Sequence, residues 1–166
     1  MEAVRQIADI LSAKDAANAS VYQANAEAYI KKLQALDAQY ADAVNSAAVK
    51  TLVFADRFPF RYMFDDYGLS CFAAFPGCSA ESEASFETIL FLSNKVDELG
   101  LNYVMTIENN DEKIAKTVID NTQNKNQNIL HLDSMQNITA EQAKDGTTYV
   151  SVMESNLSVL KQALKN

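Results

Sequence analysis

After residue 50 the chain falls into a repeating alternation that admits few folds. Short apolar runs, TLVFA (51–55), SCFAAF (70–75), LNYVMTI (101–107) and NILHL (128–132), are each followed by a longer stretch with helical spacing or by polar turn residues. The runs are too short for helices and are bounded by Gly, Pro or Asn, so they read as buried strands. The connections between them exceed a hairpin turn, which leaves parallel pairing through crossover helices. The predicted helices cover 59–67 with Pro59 in the first turn, then 82 or 85 to 99 with a serine cap and Gly100 as stop. They continue with 110–122 and 149–164, while 123–127 and 133–139 read as loops and Pro76-Gly77 as a turn. The expected fold class is therefore α/β: a four-stranded parallel sheet flanked by helices, with right-handed crossovers.

Residues 1–48 have a different character. They contain neither Gly nor Pro and are rich in Ala, Gln, Glu, Lys and Leu. Val4, Ile7, Ala8 and Leu11 recur at helical spacing, residues 15–18 read as a break, and Asn18 is a candidate cap for a second helix. That second helix, carrying Val21, Tyr22, Ala26, Tyr29, Ile30, Leu33, Leu36 and Tyr40, runs for roughly 28 residues, about 40 Å of rod. A rod of that length in a chain of 166 residues often joins two lobes.

The totals exclude several functions. A net charge of −8, from 22 acidic and 14 basic residues, provides no basic footprint for a phosphate backbone, so nucleic acid is not an expected partner. No run of about 18 apolar residues exists to span a membrane. The opening MEAVRQIADIL has no apolar signal region, which fits either a cytosolic protein or a piece of a longer one. Cys71 and Cys78 read either as two free thiols or as a local disulfide of an oxidising compartment.

In parallel sheets ligands bind beyond the carboxyl ends of the strands. Here those ends carry Ala55, Asp56 and Arg57; Cys78, Glu81 and Glu83; Glu108; and Asp133 and Ser134, with His131 two residues earlier on the same face. Oxygen-rich edges suit divalent cations, and an imidazole adds a preference for zinc. The same residues also serve as ordinary helix caps and first-turn acids. One histidine and two distant cysteines cannot complete a zinc site alone. Enzyme motifs are missing: the first strand exits into ADRFPF rather than a glycine-rich loop, and neither a GxxxxGK[ST] nor a GxSxG sequence occurs. A Cys78–His131 pair can be written, but its spacing offers no support.

Several stretches taken together resemble the C-terminal half of the metal-binding substrate-binding proteins of zinc and manganese ABC transporters. This family includes zinc-uptake lipoproteins and manganese-binding adhesins. DAANASVYQANAEAYIKKLQALDAQY resembles its interlobe helix, LVFADRFPFRYMFDDYGL the entry to its second lobe, and CSAESEASFETI an acid-and-serine helix start. ILHLDSM and GTTYVSVMESNLSVLKQAL resemble its last strand and last helix, so the likeness covers essentially the whole chain in order.

The resemblance implies that residues 1–14 are the last helix of an otherwise absent N-terminal lobe, 15–48 the linker helix, and 49–166 the C-terminal α/β lobe. It implies Zn²⁺ or Mn²⁺ as cargo, a membrane permease of an ABC importer as partner, and an extracytoplasmic, lipid-anchored or periplasmic location. No catalysis is expected. Of the ligands, the carboxylate after the last strand matches Asp133. The ligand closing the first strand, His or Glu in the family, falls on Ala55, which cannot ligate. Either Asp56 takes that role or the position supplies no ligand; His131, Cys78 and Glu108 are further substitutes. Two other readings stay open: an adhesion or interaction module of this fold that has lost its metal site, and a cytosolic enzyme using Asp56 and Asp133 with Mg²⁺. Self-association through an unpaired apolar edge is also expected.

Overall fold

The structure is a computed structural model describing residues 1–76 and 83–165. It divides into two compact units, Met1–Tyr40 and Ala41–Asn166. The turn at 76–77, Cys78, Glu81 and Ser82, all named above, lie wholly or partly outside the described residues, and with Cys78 any pairing to Cys71.

The first unit is helical. α1 spans Glu2–Lys14, a 3₁₀ turn follows at Ala16–Asn18, and α2 starts at Ala19, continuing past the unit boundary to Asn45. The predicted break at 15–18 is present, but its polar hub is Asp15 rather than Asn18. Asp15 Oδ2 accepts the Asn18 side-chain amide and the Tyr22 hydroxyl, each at 2.8 Å. Gln23 on α2 donates to Asp9 Oδ1 (2.9 Å) and Ser12 Oγ (3.2 Å) on α1.

The second unit holds a four-stranded sheet of order β2-β1-β3-β4, every pairing parallel. Its elements run β1 (Thr51–Phe58), α3 (Arg61–Tyr67), β2 (Ser70–Pro76), α4 (Phe86–Leu99), β3 (Tyr103–Ile107), α5 (Lys113–Asp120), β4 (Asn128–Leu132), α6 (Ala140–Lys144) and α7 (Tyr149–Ala163). Val53, Ala55 and Val104 pack with Ile89, Leu92 and Val96 of α4 and Ala115 and Val118 of α5. The residues alternating with these point to the opposite face, where Phe54 meets Phe64 of α3 at 5.9 Å between ring centroids. α7 lies along β4. Buried Ser93 donates to the carbonyls of Ile89 (2.8 Å) and Val118 (2.9 Å), so its hydroxyl joins α4 to α5 without an unpaired polar atom.

Local chemistry explains the boundaries. Ser85 caps α4 by accepting from Thr88 N at 3.1 Å. Gly100 stops that helix at φ 62, in the left-handed region that favours glycine. β1 runs three residues beyond its apolar core because of a bulge. Between the pairs Phe54↔Ala73 and Arg57↔Phe75, β1 has two residues, Ala55 and Asp56, where β2 has one. Phe58 and Phe60 then fold back on Phe54 and Phe64, with Phe58–Phe64 centroids 4.8 Å apart and nearly perpendicular. β1 is an inner strand buried on both faces, as Leu52, Val53 and Phe54 already show, and Ala55 and Asp56 at the bulge are buried with them.

Candidate metal centre

The bulge determines what Asp56 can do. It is 4% exposed, and both its oxygens are engaged. Oδ1 accepts the backbone N–H of Arg57 at 2.7 Å, and the Arg57 Nε lies 3.9 Å away. Oδ2 accepts from Ile107 N at 3.2 Å and from Asn110 Nδ2 at 2.6 Å. A carboxylate taken from water must collect donors of this kind. Asp56 thus ties the end of β1 to the end of β3 and to the loop beyond it. Asn110 Oδ1 in turn accepts from Glu112 N at 2.6 Å. That loop turns tightly, with Asn109 (φ 58) and Glu112 (φ 60) both in the left-handed region. Residues 108–112 form this turn, so the helix expected from 110 begins only at Lys113.

At the end of β4, Asp133 has a different environment. It is half-buried and is the first residue past the strand. Oδ1 accepts from Met135 N at 2.7 Å, closing an Asx turn around Met135, which sits at φ 60. No described residue donates to Oδ2. The neighbouring Ser134 is held by Glu108, which accepts its N–H at 2.7 Å and its hydroxyl at 2.5 Å. Glu108 is therefore committed to holding the rim.

His131 is exposed on the α5 side of β4. Its Nδ1 lies 2.7 Å from Thr106 Oγ1 and its Nε2 3.1 Å from Glu112 Oε1. Hydroxyl, imidazole and carboxylate stand here in the order used for nucleophilic catalysis, but Thr106 is fully buried, so no substrate can reach it. The Glu112 carboxyl is held below the usual carboxylate range, first by its hydrogen bond to Lys116, whose Nζ lies 2.9 Å away.

Ala55 lies in the core at 0% exposure and has no ligating atom. Among the described residues no three His, Cys, Asp or Glu side chains converge on a point that could hold a metal ion. On donor chemistry Asp133 offers a half-buried carboxylate oxygen to which no described residue donates, on a backbone that its neighbours fix in place.

The supporting residues Asn110, Ser134 and Asn156 were not legible as such. One signal was available for Asn156: Val152, Asn156 and Leu160 are spaced four apart on the inner stripe of α7, and a polar residue at such a position requires a partner.

An all-parallel α/β sheet with a polar rim at its carboxyl ends is a fold that takes ligands at that rim. The comparisons with known proteins give it a family. Residues 1–163 match the family described as zinc-uptake complex component A, periplasmic, and the chain belongs to that family. It is 36% identical over 159 residues to the zinc-binding lipoprotein AdcA of Streptococcus pneumoniae serotype 4, covering 96% of this chain and 31% of that protein. It is 30% identical over 161 residues to the manganese ABC transporter substrate-binding lipoprotein PsaA of Streptococcus mitis, covering 96% of this chain and 50% of that protein. Among solved structures, the Zn(II)-bound ZnuA-like domain of Streptococcus pneumoniae AdcA superposes with a TM-score of 0.75 at 33% identity, over 96% of this chain and 58% of that one. The chain thus spans between about a third and a half of the curated relatives it matches. The family is one of binding proteins, in accord with the expectation of no catalysis. Among the described residues no helix is long and apolar enough to cross a membrane.

Proposed function

We propose that this chain is the C-terminal lobe of an extracytoplasmic protein that captures Zn²⁺ or Mn²⁺ and hands it to the permease of an ABC importer. The observation that carries this reading is the Oδ2 of Asp133 at the carboxyl end of β4, to which no described residue donates, in a chain whose relatives are zinc- and manganese-binding lipoproteins. Asp133 supplies an oxygen ligand. Asp56 and His131 are the secondary ligands, and each must give up a hydrogen bond first: Asp56 the one from Asn110, His131 the one to Glu112. A four-coordinate zinc site needs more donors than this rim holds, so the N-terminal lobe supplies the rest, with residues 1–14 as its last helix and 15–48 as the linker. The isolated lobe binds metal weakly and exposes apolar surface through which it can self-associate.

Titration calorimetry with Zn²⁺ and Mn²⁺ on the full-length protein, wild type against Asp133→Ala, tests this. Sub-micromolar binding that collapses with Asp133→Ala is the expected result. A wild type that binds neither ion would sink the reading. A second reading, an interaction module of the same fold with a degenerate metal site, is favoured by Ala55, whose place in the core leaves no room for a ligand there. That reading expects no metal response and an unchanged surface activity in Asp133→Ala.

A further inference from the structure

Asn156 sits mid-way along α7 at 3% exposure, on the stripe that Val152 and Leu160 also occupy. Asparagine is a poor helix former, and a buried amide is costly unless its hydrogen bonds are made. Both of its short hydrogen bonds go to one residue. Its Oδ1 accepts the N–H of Asp133 at 2.8 Å, and its Nδ2 donates to the C=O of Asp133 at 2.8 Å. A weaker contact places Nδ2 3.8 Å from Met153 Sδ. Asp133 is the first residue beyond the β4 ladder, where both backbone groups lose the pairing that a strand provides. The side-chain amide of Asn156 stands in for the missing strand and holds the backbone of Asp133 by both hands. With the backbone held, the Asx bond from Met135 to Oδ1 sets the carboxylate, leaving Oδ2 with no donor among the described residues.

Docking of α7 does not need this arrangement. Val152, Leu157, Leu160 and Ala163 already supply a buried apolar stripe, and a leucine shares the branching of asparagine at Cγ, though it is larger. The polar residue serves the orientation of Asp133. We infer that Asn156 is a positioning residue for cation binding, acting through the backbone of Asp133 and never touching the ion. This rests on the reading of Asp133 as a metal ligand.

The test uses the full-length protein with Zn²⁺ alone and with Co²⁺ alone, in wild type, Asp133→Ala, Asn156→Leu and Asn156→Asp. Losing a hydrogen bond that orients a ligand costs roughly 10–100-fold in metal affinity. Asn156→Leu and Asn156→Asp are both expected to weaken Zn²⁺ binding within that range. The visible Co²⁺ spectrum should change in position or intensity, which a loss of packing elsewhere would not produce. In the metal-free protein the backbone N–H of Asp133 should exchange faster in Asn156→Leu, while amides in the middle of β3 keep their protection. Asn156→Asp retains an acceptor for the Asp133 N–H but replaces the donor to its C=O with a carboxyl oxygen and adds an ionisable group, so it breaks the clamp by a different chemistry from the leucine variant, and the exchange of the β3 amides reports whether each variant is folded. If Asp133→Ala abolishes binding while both Asn156 variants bind and absorb like wild type, the inference fails and the metal reading stands. If Asp133→Ala binds like wild type, the metal reading fails and takes this inference with it.

Discussion

Asp56 and Asp133 occupy the same topological place, the carboxyl end of a parallel strand, and carry the same functional group. They end in opposite conditions. Asp56 lies in the bulge of a strand buried on both faces, and three N–H donors fill its two oxygens. Asp133 follows a strand that ends cleanly, is held by its backbone, and keeps one oxygen without a described donor. Position beyond a strand end therefore selects candidates, and the local donor supply decides which of them has binding capacity left. One carboxylate closes the frame and could ligate only by giving up a bond, while the other keeps an oxygen to which no described residue donates.

The contrast is open to breakage at its structural end. Asp56→Ala removes an acceptor from the buried N–H of Ile107 and frees the Asn110 amide. Stranded donors of this kind make such a loss cost about 3 kcal/mol. Chemical denaturation should show a lower midpoint with an unchanged slope. A variant as stable as wild type would mean that the clamp is ornamental and that Asp56 is free for another role.

Asp133→Ala sharpens the same contrast from the other side. It removes one partly exposed hydrogen bond, from Met135 N, and leaves the Asn156 clamp on the backbone intact. Its stability loss should stay near 1 kcal/mol, a third of that at Asp56, even as cation binding collapses. If the two alanine variants lose stability equally, the division between a structural and a binding carboxylate does not hold.

How much of this was legible in the chain depends on the range of the interactions. The four strands and the principal helices follow from patterns repeating every two or three to four residues, and the structure places them within a few residues of expectation. α6 was missed because Ala140–Lys144 has no apolar stripe; a capping box between Thr139 and Gln142 makes it. The eight-residue length of β1 was missed because aromatic rings meeting across a bulge extend it, and a bulge has no periodic signature. The rim was legible as a list of carboxylates but not in its roles. Those roles are set by bonds such as Asp56–Asn110, 54 residues apart, and Asp133–Asn156, 23 apart, which no local window contains.

A third aspartate tests whether donor supply alone sorts these carboxylates, because Asp15 lies in the helical unit, far from any strand end in sequence. Its carboxyl is held below its ordinary 3.8, first by the Asn18 amide and then by the Tyr22 hydroxyl. The Tyr22 phenol is pushed above its ordinary 10.0, chiefly by that same bond. The signs give a window. A depressed carboxyl stabilises the folded form above its unfolded value and loses that contribution as pH falls through its folded one, so the acid edge lies below about pH 4. A raised phenol stabilises below its unfolded value and loses that contribution as pH rises through its folded one, so the alkaline edge lies above about pH 10. Both groups are solvent-exposed, so the effect is the smallest of the three. Difference absorbance between wild type and Tyr22→Phe isolates this phenol from the other tyrosines. Its midpoint should lie above 10 in wild type and return toward 10 in Asp15→Ala. A Tyr22 midpoint that ignores the loss of Asp15 would show that the bond is not populated in solution. The helix junction would then rest on the Gln23 contacts to Asp9 and Ser12 and on the Ser12 hydroxyl, which donates to the Ala19 carbonyl.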